Sequence, residues 1–139
     1  MLSRQSVERA TGLSNYTVEK YMSDDGKLLQ SCYIYAKPRT GNAYRLKIRI
    51  DDPSQLPLSR LEGSRASRNG ADLPTNVGPG FTFTLMESGE KYGTDGWAWA
   101  QDGSRMLSVS LSNTPSNRDA QKDVIEFIRQ LRPIVLDED

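Results

Sequence analysis

The chain has 139 residues, and its 18 Lys and Arg balance 18 Asp and Glu. That is enough for one compact domain with a core of its own, and it leaves no global field to draw in nucleic acid or an anionic membrane. There is no histidine and a single cysteine, Cys32. This removes the commonest general base, a Cys–His dyad, a zinc site and an internal disulfide, so no catalytic residue, metal or cofactor is assigned.

In chain order, "LSRQSVERATGL" predicts a short amphipathic helix. Ser3 is its cap, Gly12 follows its end, and Val7 and Ala10 lie on one side. Such a helix must dock to survive, because so few turns are unstable alone. "NYTVEKYMSDDGKLLQSCYIYAKP" reads as two strands around an Asp25–Gly26 turn. "YRLKIRI" is the cleanest strand. Tyr44, Leu46, Ile48 and Ile50 alternate with Arg45, Lys47 and Arg49, giving one apolar and one basic face. The basic stripe Arg45, Lys47 and Arg49 has a functional reading as an anion-binding surface. A solvated sheet face is preferred, since no aromatic residue is interleaved with it. The adjacent acids Asp24–Asp25 and Asp51–Asp52 sit beside Gly or Pro and read as solvated turns.

Leu58 and Leu61 predict a short helix beginning near Pro57 and ending close to Gly63, followed by an exposed Ser/Arg/Asn/Gly-rich loop. "PTNVGPG" is a connector and not a phosphate loop, because no Lys-Ser/Thr pair follows and the next segment is a strand. That strand, "FTFTLM", sets Phe81, Phe83 and Leu85 against Thr82, Thr84 and Met86. "ESGEKYGTDG" reads as a polar loop. The hairpin "GWAWAQDGSRMLSVSLS" comes next, and "TPSNRDAQKDVIEFIRQLRPIV" gives the strongest helix. Its cap is Thr114 with Pro115, or Ser116 with Asp119 three residues on. Ala120, Val124, Phe127, Ile128 and Leu131 form the apolar stripe, and Pro133 ends the helix ahead of an acidic tail over 133–139. The order α-βββ-α-βββ-α implies one α+β domain over 1–139. Its single antiparallel sheet has about six strands, with helices packed mainly on one face.

The hairpin register decides what Trp97 and Trp99 face. A two-residue Asp102–Gly103 turn places Trp99 opposite Met106 and Trp97 opposite Ser108, on a serine-rich face open to a ligand. A three-residue Gln101–Gly103 loop with a bulge at Gly103 places Trp97 opposite Leu107, inside the core. The second register is favoured, because core tryptophan is the commoner case in small domains.

Several of these segments resemble the secreted and lipid-anchored domains of unknown function found in actinobacterial cell envelopes. The resemblance is carried by the opening helix "LSRQSVERATGL", the strand "CYIYA", the connector "LPTNVGPGFTF", the hairpin "GWAWAQDGSRMLSVSLS" and a terminal helix ending in Pro133. In that family a cysteine before the first helix commonly pairs with the one in the strand. Cys32 matches the second position and nothing before Leu2 supplies the first.

The resulting expectation is a non-enzymatic, extracytoplasmic domain that binds a small ligand or an envelope protein. It would have no nucleic-acid partner, and it would touch the membrane only through a lipid anchor upstream of this chain. No apolar run reaches transmembrane length and no signal peptide precedes the first helix, so an extracytoplasmic chain begins after a removed leader. A cytosolic interaction or immunity-type protein is the alternative, and a small carboxylate-dependent hydrolase the third reading. Any pocket is expected between the sheet and the loops at 62–80 and 87–96, with Tyr92, Trp97 and Trp99 near its wall.

Overall fold

The computed structural model describes residues 17–22, 28–35, 45–52, 54, 56–113 and 118–136. The chain is α+β, built on one antiparallel sheet. Strands β1 (Thr17–Met22), β2 (Leu28–Tyr35) and β3 (Arg45–Asp52) precede helix α1 (Leu58–Ser67). The two-residue β4 (Ala71–Asp72), β5 (Gly80–Glu87), β6 (Glu90–Trp99) and β7 (Met106–Ser112) follow, and helix α2 (Ala120–Val135) comes last. The spatial order is β1-β2-β3-β7-β6-β5-β4. Four strands, β3, β5, β6 and β7, supply the buried strand residues among those described, β4 lies at the edge beside β5, and β1 and β2 continue the sheet beyond β3. The predicted opening helix, the Asp25–Gly26 turn and the Thr114 to Ser116 cap lie outside the described residues.

One face follows the alternation of β3. Leu46, Ile48 and Ile50 stand opposite Leu111, Val109 and Leu107 of β7, an apolar ladder along two neighbouring strands. Helix α2 covers it with Val124, Phe127, Ile128 and Leu131, all buried. Gly96 of β6 makes this approach close, since a Cβ there would lie 2.8 Å from Ile128 and clash with Val124. Asp119 caps α2, its side chain accepting from the Lys122 amide. The expected end at Pro133 is corrected, because the helix runs on to Val135 with Pro133 exposed in its last turn. Proline there costs one backbone donor at a helix end and leaves the rest of the ladder intact.

The opposite face holds a second core of Leu61, Phe81, Phe83, Trp99 and Met106, with Trp97, Leu56, Leu58 and Leu85 against it. Helix α1 covers this face through Leu61, its one buried residue. Helices packed mainly on one face are therefore overturned, because α1 and α2 cover opposite faces. The sheet lies between them, and at β6 and β7 both sets of alternating side chains leave water to a large extent.

The hairpin corrects the favoured register. Trp99 stands opposite Met106, Trp97 opposite Ser108 and Ala98 opposite Leu107. The loop is neither of the two expected. Ala100 N–H donates to the Arg105 carbonyl (3.0 Å) and Gly103 N–H to the Ala100 carbonyl (2.8 Å), leaving a four-residue loop, 101–104. Gly103 takes the left-handed φ of 74° after a turn over Gln101 and Asp102, and Ser104 N–H donates to Asp102 Oδ1 (2.9 Å). Two- and four-residue loops share parity, so the pairing is that of the Asp102–Gly103 turn although the turn is different.

Two expected loops are also replaced. Helix α1 passes through Gly63 to Ser67 and is followed by β4, where a helix ending near Gly63 and a long loop were expected. "ESGEKYGTDG" is mostly strand. β5 turns into β6 at Ser88–Gly89, with φ of 52° and 80°, the signature of a type I′ hairpin turn. A register shift between Leu85 and Met86 leaves Tyr92 without a partner on β5.

Candidate functional site

Two features adjoin on the aromatic face. The first is a cleft of about 430 Å³ between α1, β4 and the 73–80 segment. Trp99, Leu73 and Pro79 supply its apolar lining, Gly78 and Gly80 flank Pro79, and Glu62, Arg65, Asp72, Thr75 and Gln101 bring polar groups to it. Arg65 of α1 forms a salt bridge with Asp72 of β4. Both side chains are substantially exposed, so the pair is screened and shapes the cleft more than it stabilises the fold.

The cleft floor is fixed from the opposite side of the molecule. Arg132 of α2 is buried, its Nη2 donating to the Trp99 carbonyl (2.7 Å) and its Nη1 to the Pro79 carbonyl (3.4 Å). Gly78 lies against the guanidinium so closely that a Cβ would stand 2.5 Å from Cζ. Leu73 N–H donates to the Gly80 carbonyl (3.1 Å) and Trp99 N–H to the Pro79 carbonyl (3.3 Å), closing the segment onto the hairpin. A buried cation on backbone carbonyls is a strong tether, because each charge-assisted bond there is made without water competing.

The second feature is a recess walled by aromatic rings. Phe81 stands 5.5 Å from Trp97, 6.0 Å from Trp99 and 5.7 Å from Phe83, ring centroid to centroid. Phe83 and Trp97 meet nearly perpendicularly, at 83° and 5.8 Å. The Arg68 guanidinium, from the residue that ends α1, lies over both, 4.9 Å from the Phe83 centroid and 4.6 Å from that of Trp97. Beneath them Asp95 accepts from the Trp97 indole Nε1 (3.3 Å) and from Ser110 Oγ. Burial pushes the Asp95 carboxyl above its usual range, and the Ser110, Trp97 and Gly96 hydrogen bonds and the Arg68 charge only partly offset this.

Trp99 lines the cleft, and Trp97 lies two residues along the same face, against Phe81 and Arg68. Tyr92 is not brought to either. It is exposed at the β6 bulge, about 23 Å from Trp99 at the usual rise of a strand. The basic residues lie on β3 beside the β7 serines, Lys47 opposite Ser110 and Arg49 opposite Ser108. Arg49 Nε donates to Asp51 Oδ1 (3.0 Å), and Arg45 and Lys47 have interactions of their own. Asp51 is thus corrected from a solvated turn residue to a buried strand residue paired with Arg49. Sequence reasoning missed Glu62, Arg65, Arg68, Asp72, Asp95 and Arg132. Asp95 carried a usable signal, the alternation Asp95, Trp97, Trp99 against Gly96, Ala98, Ala100, which extends the strand back through it.

Among the described residues no group of three or more acidic, cysteine or histidine side chains could hold a metal ion, and no helix is long and apolar enough to cross a membrane. No family model matches the chain, and no curated protein or solved structure is significantly similar to it.

Proposed function

We propose that the chain is a non-enzymatic binding domain of a secreted or lipid-anchored envelope protein, holding a small ligand in the cleft between α1, β4 and the 73–80 segment. The cleft itself carries this reading. Its volume is that of small-molecule sites, and it joins an aromatic and backbone floor to a few convergent polar groups. Its floor is pre-organised by Arg132, so little ordering opposes binding. The envelope assignment is supported by the motif resemblance, and a signal peptide with a lipobox cysteine encoded upstream of Met1 would agree with it.

The test compares wild type with Thr75→Trp, a bulky substitution at an exposed residue lining the cleft. A defined panel of small polar and amphipathic molecules is screened by thermal shift and tryptophan emission. Compounds that stabilise wild type should lose their effect on Thr75→Trp. Equal effects on both proteins would remove the cleft from consideration. Reproducible turnover abolished by Glu62→Gln or Asp72→Asn would replace binding with catalysis.

A further inference from the structure

We propose that the recess between Phe83 and Trp97 is a guanidinium-recognition site, occupied in this structure by the chain's own Arg68. The site is separate from the cleft, and its assignment does not depend on the cleft binding anything. Two ring faces set almost perpendicular form two walls around one cation, and Arg68 Cζ is within 5 Å of both centroids. A ring face attracts a cation through its quadrupole, and a planar guanidinium also stacks, which an ammonium does not. Asp95 supplies negative charge below the rings, held in place by the Trp97 indole and Ser110.

Arg68 has the character of a placeholder. It is exposed and sits at the end of α1, just before Asn69 at a φ of 54°. Among the described residues its guanidinium makes no hydrogen bond or ion pair, and only the two ring contacts and the more distant Asp95 charge retain it. Such contacts are weak at an exposed position and are opposed by the rotamer freedom of a long side chain. An incoming arginine side chain would therefore exchange with Arg68 like for like. It could also offer its forked donors to carbonyls or carboxylates nearby, which the tethered Arg68 does not do. The ligand class is an arginine side chain, either of a small molecule or of a peptide.

The experiment titrates wild type and Arg68→Ala with N-acetyl-argininamide, with a short arginine-containing peptide, and with N-acetyl-citrullinamide as the neutral isostere. Binding is read from the Trp97 indole N–H resonance. Removing an internal competitor should raise the affinity for N-acetyl-argininamide about tenfold. The isostere should not bind either protein. A peptide that binds more tightly than the amide would identify a peptide source, and equal affinity a free small molecule; both support the site. Arg68→Ala binding no more tightly than wild type, or citrulline binding as well as arginine, would overturn the proposal. Arg68 is exposed, so Arg68→Ala should keep the wild-type circular dichroism. Arg68→Lys provides a second check, since a lysine occupant should leave an affinity between the two.

Discussion

Replacing Leu61 with alanine tests whether the sheet has two cores. Leu61 is fully buried and is the one side chain of α1 to be so. It packs with Phe81, Phe83, Trp99 and Met106. Truncation loses the transfer energy of three carbons and leaves a cavity, and such changes cost about 2–5 kcal/mol. α1 is short and open to solvent on its outer side, so it can settle inward, and about 3 kcal/mol is expected. For a chain of this size each kcal/mol lowers the melting temperature by about 4 °C, so a fall of about 12 °C follows. Urea unfolding followed by circular dichroism gives the energy, and native-state tryptophan emission reports the location. Leu61→Ala should shift the emission to the red, because it opens the cluster that holds Trp99. Val124→Ala, in the other core, should destabilise the protein without that shift. A cost for Leu61→Ala below about 0.5 kcal/mol, the range of an ordinary surface substitution, with unchanged emission would refute a core beneath α1.

Asp95→Asn should change how stability depends on pH. Burial raises the Asp95 pKa above its ordinary value of 3.8, so the folded chain takes up this proton before the unfolded chain does. The associated stability is present at low pH and is lost as pH rises through the folded pKa. The variant should therefore gain on wild type as pH rises from about 4, by at most about 1.4 kcal/mol per pH unit; a pH-independent difference in urea midpoints would contradict this. Gly63→Ala should stabilise by about 0.5–1 kcal/mol, since alanine is the better helix former and a Cβ at this site meets nothing within 4 Å. Gly96→Ala should destabilise by about 1–3 kcal/mol by driving Val124 and Ile128 from the sheet, and chemical denaturation separates the two signs. Arg132→Met should cost about 2–3 kcal/mol and speed hydrogen exchange at the Leu73 amide, whose acceptor Gly80 lies in the segment that Arg132 holds. Unchanged exchange would show that the cleft floor is held by other contacts.

What could be read from the sequence was what local periodicity encodes. The two-residue alternation of Leu46, Ile48 and Ile50 gave the α2-facing ladder, and the stripe from Ala120 to Leu131 gave the helix that covers it. The second core was hidden for the opposite reason. Helix α1 buries Leu61 alone and carries Gly63 within it, so it has almost no amphipathic signature. Its partners arrive from β5, β6 and β7, far away along the chain. The hairpin register turned on loop parity, and Asp102–Gly103 carries good turn chemistry for more than one loop length. Among site residues, Trp99 was legible because a large aromatic side chain carries its own prior. Arg68 and Arg132 gain their roles from neighbours 15 to 53 positions away, which no local pattern records.

The placement of both candidate sites on the α1 side follows from how the two faces are built. Beneath α2 the sheet presents branched aliphatic side chains and Gly96, and a sixteen-residue helix lies down with four large apolar residues buried. That surface is filled and leaves little for a ligand to contact. Beneath α1 the side chains are flat rings, and the covering helix has ten residues and one buried anchor. A short helix seals rings less fully than α2 seals the aliphatic face, which leaves the edge of Trp99 at the cleft and the half-buried Trp97 beside Phe83 and Arg68. A lightly anchored element also opens at lower energy than the rest of the fold. Binding that displaces Arg68 or adjusts Glu62 and Arg65 then disturbs α1 without loosening the core that α2 secures.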